Sequence, residues 1–88
     1  MKSIYTYYEV IQLKLRMEKT VKKLKSSMNV DSEVKSLAIG MEPHIKEYDA
    51  LANKIGILGK VDELSMVNAF NETNEMLDRL DSILGGKN

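Results

Sequence analysis

Apolar residues recur every three or four positions along three stretches of this chain, and short polar joints separate the stretches. Val10, Leu13, Met17, Val21, Leu24 and Met28 mark the first. Val34, Leu37, Met41, Ile45, Tyr48, Ala52 and Ile55 mark the second, and Leu64, Val67, Phe70, Leu77, Leu80 and Leu84 the third. Such spacing keeps each set on one side of a 3.6-residue helix, so the pattern predicts three amphipathic helices over 3–28, 32–57 and 62–84.

The punctuation supports these bounds. Ser3 is placed to cap the first helix, Asn29 to close it in a left-handed conformation, and Asp31 or Ser32 to cap the second. Gly59 suits the closing position of the second helix. Asp62 suits the cap of the third, with Val61 and Met66 spaced for a hydrophobic staple and Gly85-Gly86 at its end. Pro43 removes one hydrogen bond from the second helix and crowds the preceding turn. Because Met41, Ile45 and Tyr48 stay in phase across it, the expectation is one helix kinked near Pro43. The three rods, each about 35–39 Å long at 1.5 Å per residue, are joined by a few residues and must run antiparallel to their chain neighbours. The fold expected is all-α, an up-down-up antiparallel three-helix bundle forming a single domain over residues 1–88.

The first helix has more apolar surface than one core stripe requires. Ile4, Tyr8, Ile11 and Leu15 form a second row, which turns basic at Lys19 and Lys22. A helix apolar on two sides is usually covered on both. Helices two and three each covering one row would account for it. The alternative is that part of this row, with Tyr5 and Tyr7, faces another protein, since tyrosine combines a large apolar body with a polar tip. The methionines at 17, 28, 41, 66 and 76 are spread over all three helices and read as core filling.

Charge adds an asymmetry that the net value hides. Thirteen basic and thirteen acidic side chains cancel. Yet residues 1–28 hold seven basic groups against Glu9 and Glu18, while Asp62, Glu63, Glu72, Glu75, Asp78 and Asp81 dominate residues 60–84. In an up-down-up bundle the basic first helix and the acidic third run side by side. There is no cysteine, which excludes disulfides, thiol nucleophiles and thiolate metal sites and suits a reducing compartment. No apolar run approaches the roughly 20 residues of a membrane span, and Glu9 and Gln12 interrupt the N-terminal apolar residues where a signal peptide needs continuity. A cytoplasmic protein is expected.

Candidate chemistry is sparse. His44 is the only histidine; Glu47 lies one turn on, but nothing completes a metal-ligand set. Glu72, Glu75, Asp78 and Asp81 step around their helix, without the glycine-containing loop of a calcium site. Gly56-Ile57-Leu58-Gly59-Lys60 has neither the spacing nor the preceding strand of a phosphate loop. No serine has a base and an orienting acid nearby in sequence pattern. The reading is therefore non-enzymatic, with no catalytic, metal or cofactor residues and no cofactor. The chain also lacks the Trp-x-Gly turn of WXG-type secreted hairpins; its Lys/Ile/Asn-rich composition is like that of a small bacterial or phage accessory protein.

These features lead to a protein–protein interaction module, an inhibitor, adaptor or assembly factor that binds another protein or a second copy of itself. Ile4, Tyr5, Tyr7, Tyr8, Ile11 and Leu15 are the contact residues expected. The alternative partner is a nucleic acid, held by Lys14, Arg16, Lys19, Lys22, Lys23 and Lys25 of the first helix, each neutralised phosphate releasing counterions. Against it, these side chains spread around the polar circumference and only one is arginine. A further alternative is peripheral membrane attachment through the mixed tyrosine and lysine surface.

Overall fold

The computed structural model describes residues 2–27 and 31–85. Three helices account for most of them: α1, Tyr7–Ser26; α2, Ser32–Ile55; and α3, Leu64–Gly85. Two short extended segments, β1 (Tyr5–Thr6) and β2 (Lys60–Val61), pair antiparallel, with Tyr5 opposite Val61 and Thr6 opposite Lys60.

The three-helix bundle expected from the apolar repeat is present, and its cross-links give the directions. Lys14 pairs with Asp49 and Lys25 with Glu42, so α2 descends as α1 rises. Tyr5 bonds Asn71 while Arg16 reaches Asp78 and Asp81, so α1 and α3 rise together. The buried interior holds Val10, Leu13, Met17, Val21 and Leu24 of α1, Ala38, Met41 and Ala52 of α2, and Val67, Phe70, Leu77 and Leu80 of α3. Tyr5 and Val61 close one end of it.

The helix ends differ from the sequence expectation in instructive ways. The first helix starts at Tyr7, not at residue 3, because Thr6 and Glu9 form a reciprocal capping box. The Glu9 amide donates to Thr6 Oγ1 (3.3 Å), and the Thr6 amide donates to Glu9 Oε1 (3.0 Å). Two orphan donors are satisfied at once, more than a Ser3 hydroxyl supplies alone. The N-cap residue must be extended, and the residue before it continues that conformation into the pairing with β2. At the other end, Ser27 is the C-cap; Met28 and the proposed closure at Asn29 lie outside the described residues. Asp31 precedes α2 without a side-chain capping bond, its backbone carbonyl accepting from the Lys35 amide instead.

The second helix ends at Ile55, and the left-handed closing residue is Gly56 (φ 75°), not Gly59. Gly59 serves a different need. A Cβ there would lie 2.1 Å from the Ile55 carbonyl oxygen, so no other residue fits the turn. Its amide donates to the Gly56 carbonyl, and its own carbonyl accepts from the Tyr7 amide. The third helix begins at Leu64, with the Glu63 carbonyl accepting from the Val67 amide. That places Glu63 rather than Asp62 at the cap, and Val61 sits in β2.

Pro43 lies inside an unbroken α2. Its ring removes the donor for the Ile39 carbonyl, yet Ile39, Gly40 and Pro43 are all on the exposed side. Water can satisfy the freed group there, so the interruption leaves the core-facing hydrogen bonds intact.

Candidate functional site

The surplus apolar row of α1 separates into two classes once the bundle forms. Tyr5 is enclosed, 2 % exposed, with its ring edge-on to Phe70 at 4.9 Å between centroids. Tyr7 and Ile11 are half-buried and pack against the core. Tyr8, Leu15 and Ile4 are left at the surface, 63 %, 47 % and 42 % exposed. Of the six contact residues expected from sequence, three thus have outward-facing apolar area, while Tyr5, Tyr7 and Ile11 help hold the N-terminal segment in place.

Burial of Tyr5 brings a polar chain with it. Its hydroxyl donates to Asn71 Oδ1 (2.9 Å) and accepts from Asn74 Nδ2 (3.0 Å). Asn71 Nδ2 donates to the Lys2 carbonyl (3.0 Å), tying the chain's start to α3. Arg16 continues the series, donating to Asn74 Oδ1 (3.2 Å), Asp78 (2.6 Å) and Asp81 (2.8 Å). A buried hydroxyl and amide need such partners, since an unsatisfied one costs about 1–3 kcal/mol.

The six basic residues also divide. Lys14 meets Asp49 (3.1 Å) and Glu18 (3.7 Å), Lys25 meets Glu42, and Arg16 meets Asp78 and Asp81. The hydrogen bond to Asp49 raises the Lys14 pKa against a smaller opposing effect of burial. For Arg16, desolvation lowers the pKa, but the two aspartates together more than offset it. Lys19, Lys22 and Lys23 are exposed and have no carboxylate partner among the described residues.

A groove of ≈ 540 Å³ runs between α1 and α3 beneath this surface, lined by Tyr8, Gln12, Leu15, Arg16, Lys19 and Asn74 among others. It brings the exposed apolar pair and the first free lysine to one place. Its walls hold no pairing of nucleophile and base. His44 and Glu47 approach within 3.5 Å, both exposed, on a different helix from this groove. Among the described residues, no three histidine or acidic side chains are grouped to hold a metal ion, and no helix is long and apolar enough to cross a membrane.

Two surface features lie beyond the sequence reading. Helices α2 and α3 meet through Tyr48, whose ring is edge-on to Phe70 at 5.0 Å and whose hydroxyl lies 3.0 Å from Thr73 Oγ1. Burial pushes the Tyr48 pKa upward, partly opposed by the Thr73 hydrogen bond. Beside this bridge an apolar groove of ≈ 510 Å³ is open, lined by Leu51, Met66, Ala69 and Phe70 with Glu47 and Lys54 at its rim. At the β-paired end, Ile57, Leu58 and Leu64 are largely exposed, Leu58 completely. The sequence signal for that end is two large apolar residues inside a glycine-bounded turn, where polar residues are usual.

The chain matches no protein-family model, no curated protein and no solved structure.

Proposed function

We propose that this protein is a non-catalytic interaction module, an inhibitor, adaptor or assembly factor that works by covering part of another protein or of a second copy of itself. The observation that carries this reading is the position of Tyr8 and Leu15. Both project from α1 on the side away from the core, where a solvated helix is normally polar. Both line the α1–α3 groove. Apolar side chains grouped on one side of a helix mark interaction surfaces, whereas singly scattered ones are ordinary. A cytoplasmic setting belongs to the same reading and is supported by the cysteine-free sequence.

The test is a double variant, Tyr8→Ala with Leu15→Ser, compared with the parent by light scattering and by affinity capture from the native host. Captured partners or self-association should be lost while helicity is retained. Unchanged mass together with unchanged partners would overturn the reading. Ile11→Ser is the matching control: it removes a side chain packed on the core, so its effect should appear in stability.

Nucleic-acid binding is supported by one observation, the three lysines at 19, 22 and 23 that have no carboxylate partner among the described residues. A mobility shift with single-stranded and duplex oligonucleotides at low salt checks it, with affinity expected to fall steeply as salt rises.

A further inference from the structure

The side of α1 opposite the core is ordered along its length. Val10, Leu13, Met17, Val21 and Leu24 define the buried side. At 3.6 residues per turn, Tyr8, Leu15, Lys19 and Ser26 fall in line on the reverse, with Lys22 about 40° to the α2 side and Lys23 about 60° to the α3 side. Every one of these residues is exposed. The line is apolar in its first half and cationic in its second.

The cations of α1 divide by the same geometry. Lys14 and Lys25, on the flank toward α2, are neutralised by Asp49, Glu18 and Glu42. Arg16, on the flank toward α3, is held by Asp78 and Asp81. Only the outward lysines have no carboxylate within the described fold. Lys22 and Lys23 stand three and four residues beyond Lys19, which sets like charges beside each other, an arrangement an isolated helix does not favour. Lys23 lies in the last turn, where the helix dipole favours a cation; an anionic partner would relieve the repulsion at Lys19 and Lys22.

We propose that this line receives an acidic amphipathic segment of another protein. Its apolar side chains would cover Tyr8 and Leu15, and its carboxylates would meet Lys19, Lys22 and Lys23. The proposal rests on the interaction-module reading and adds the chemistry of the partner. From Tyr8 to Lys23 the line is about 22 Å long at 1.5 Å per residue, or roughly four helical turns. A polyphosphate backbone would use the lysines but leave Tyr8 and Leu15 without a role. It would also find the helix's one arginine, the side chain best suited to bidentate phosphate or base contacts, already held by two aspartates. Charge and apolar surface together fit a protein segment.

Fluorescence anisotropy with the full chain tests this, using four labelled probes. Three are synthetic helical peptides of one length with the same leucine anchors, carrying Glu, Gln or Lys at the positions that would face the outward lysines. The fourth is a duplex oligonucleotide. The Glu peptide should bind at least ten-fold more tightly than the Gln peptide, and more weakly as salt is raised. Lys19→Glu with Lys22→Glu and Lys23→Glu should abolish that preference and transfer it to the Lys peptide. These exposed substitutions leave the core untouched, and circular dichroism confirms the fold. Equal binding of the Glu and Gln peptides, lost in the Tyr8→Ala, Leu15→Ser variant, would overturn the acidic partner while leaving the interaction module standing. Tighter binding of the oligonucleotide than of the Glu peptide, or no binding of any peptide, would also overturn it.

Discussion

The contact between α1 and α3 and the contact between α2 and α3 are made of different materials. Along α1–α3, a hydrogen-bonded series passes from the Lys2 carbonyl through Asn71, Tyr5 and Asn74 to Arg16 and its two aspartates. Along α2–α3, Tyr48 bridges by ring and hydroxyl, and an apolar groove opens beside it. Directional bonds fix how far two helices slide past each other, because a shift of one residue breaks several at once. Apolar contact is non-directional and tolerates a wider opening. The first seam therefore sets register, and the second leaves room.

Phe70 is common to both, touching Tyr5 on one side and Tyr48 on the other, and is 1 % exposed. Phe70→Ala should have the largest effect, removing about 3–5 kcal/mol. With stability of roughly 0.05–0.15 kcal/mol per residue expected for a domain this size, urea unfolding followed by circular dichroism should show a molecule close to unfolded in buffer.

Removing a single hydroxyl from each seam sharpens the contrast. Tyr5→Phe leaves buried Asn71 Oδ1 without its donor and should cost about 1–3 kcal/mol. Tyr48→Phe should cost less, below about 1 kcal/mol, because Tyr48 is only half-buried and Thr73 Oγ1 keeps its bond to the Ala69 carbonyl. Equal unfolding midpoints for the two variants would contradict the distinction between the seams.

The smallest effect belongs to the outer end of the polar series. Asp78 and Asp81 are largely exposed, so Arg16→Ala should lose only about 0.2–1 kcal/mol. That loss should shrink further at high salt, where exposed pairs are screened. Denaturation at two ionic strengths measures it.

Much of the bundle was legible in advance. Val10, Leu13, Met17, Val21 and Leu24 are in the core as their spacing requires, and Val67, Phe70, Leu77 and Leu80 face them. The basic and acidic helices do run side by side, with Arg16 joining them. The start of α1 is also encoded locally, since Thr6 and Glu9 have the spacing of a capping box. The site was less legible. Tyr5 and Tyr8 lie near each other in a helical projection, but Tyr5 lies before the helix begins, in an extended segment that turns its ring onto Phe70.

The amino-acid order by itself determined three helices, their lengths to within about two residues for α2 and α3 and six for α1, their alternating directions and the extra apolar and basic surface of the first. These follow from local rules: periodicity, caps, glycines and joints too short to allow anything but a reversal. Only the tertiary structure decided which of the surplus residues are spent inside. Tyr5, Tyr7 and Ile11 go inward and Tyr8 and Leu15 outward, while Lys14, Arg16 and Lys25 find carboxylates and, among the described residues, Lys19, Lys22 and Lys23 do not. That division depends on where α2 and α3 stand around α1, and so on contacts between residues far apart in the chain.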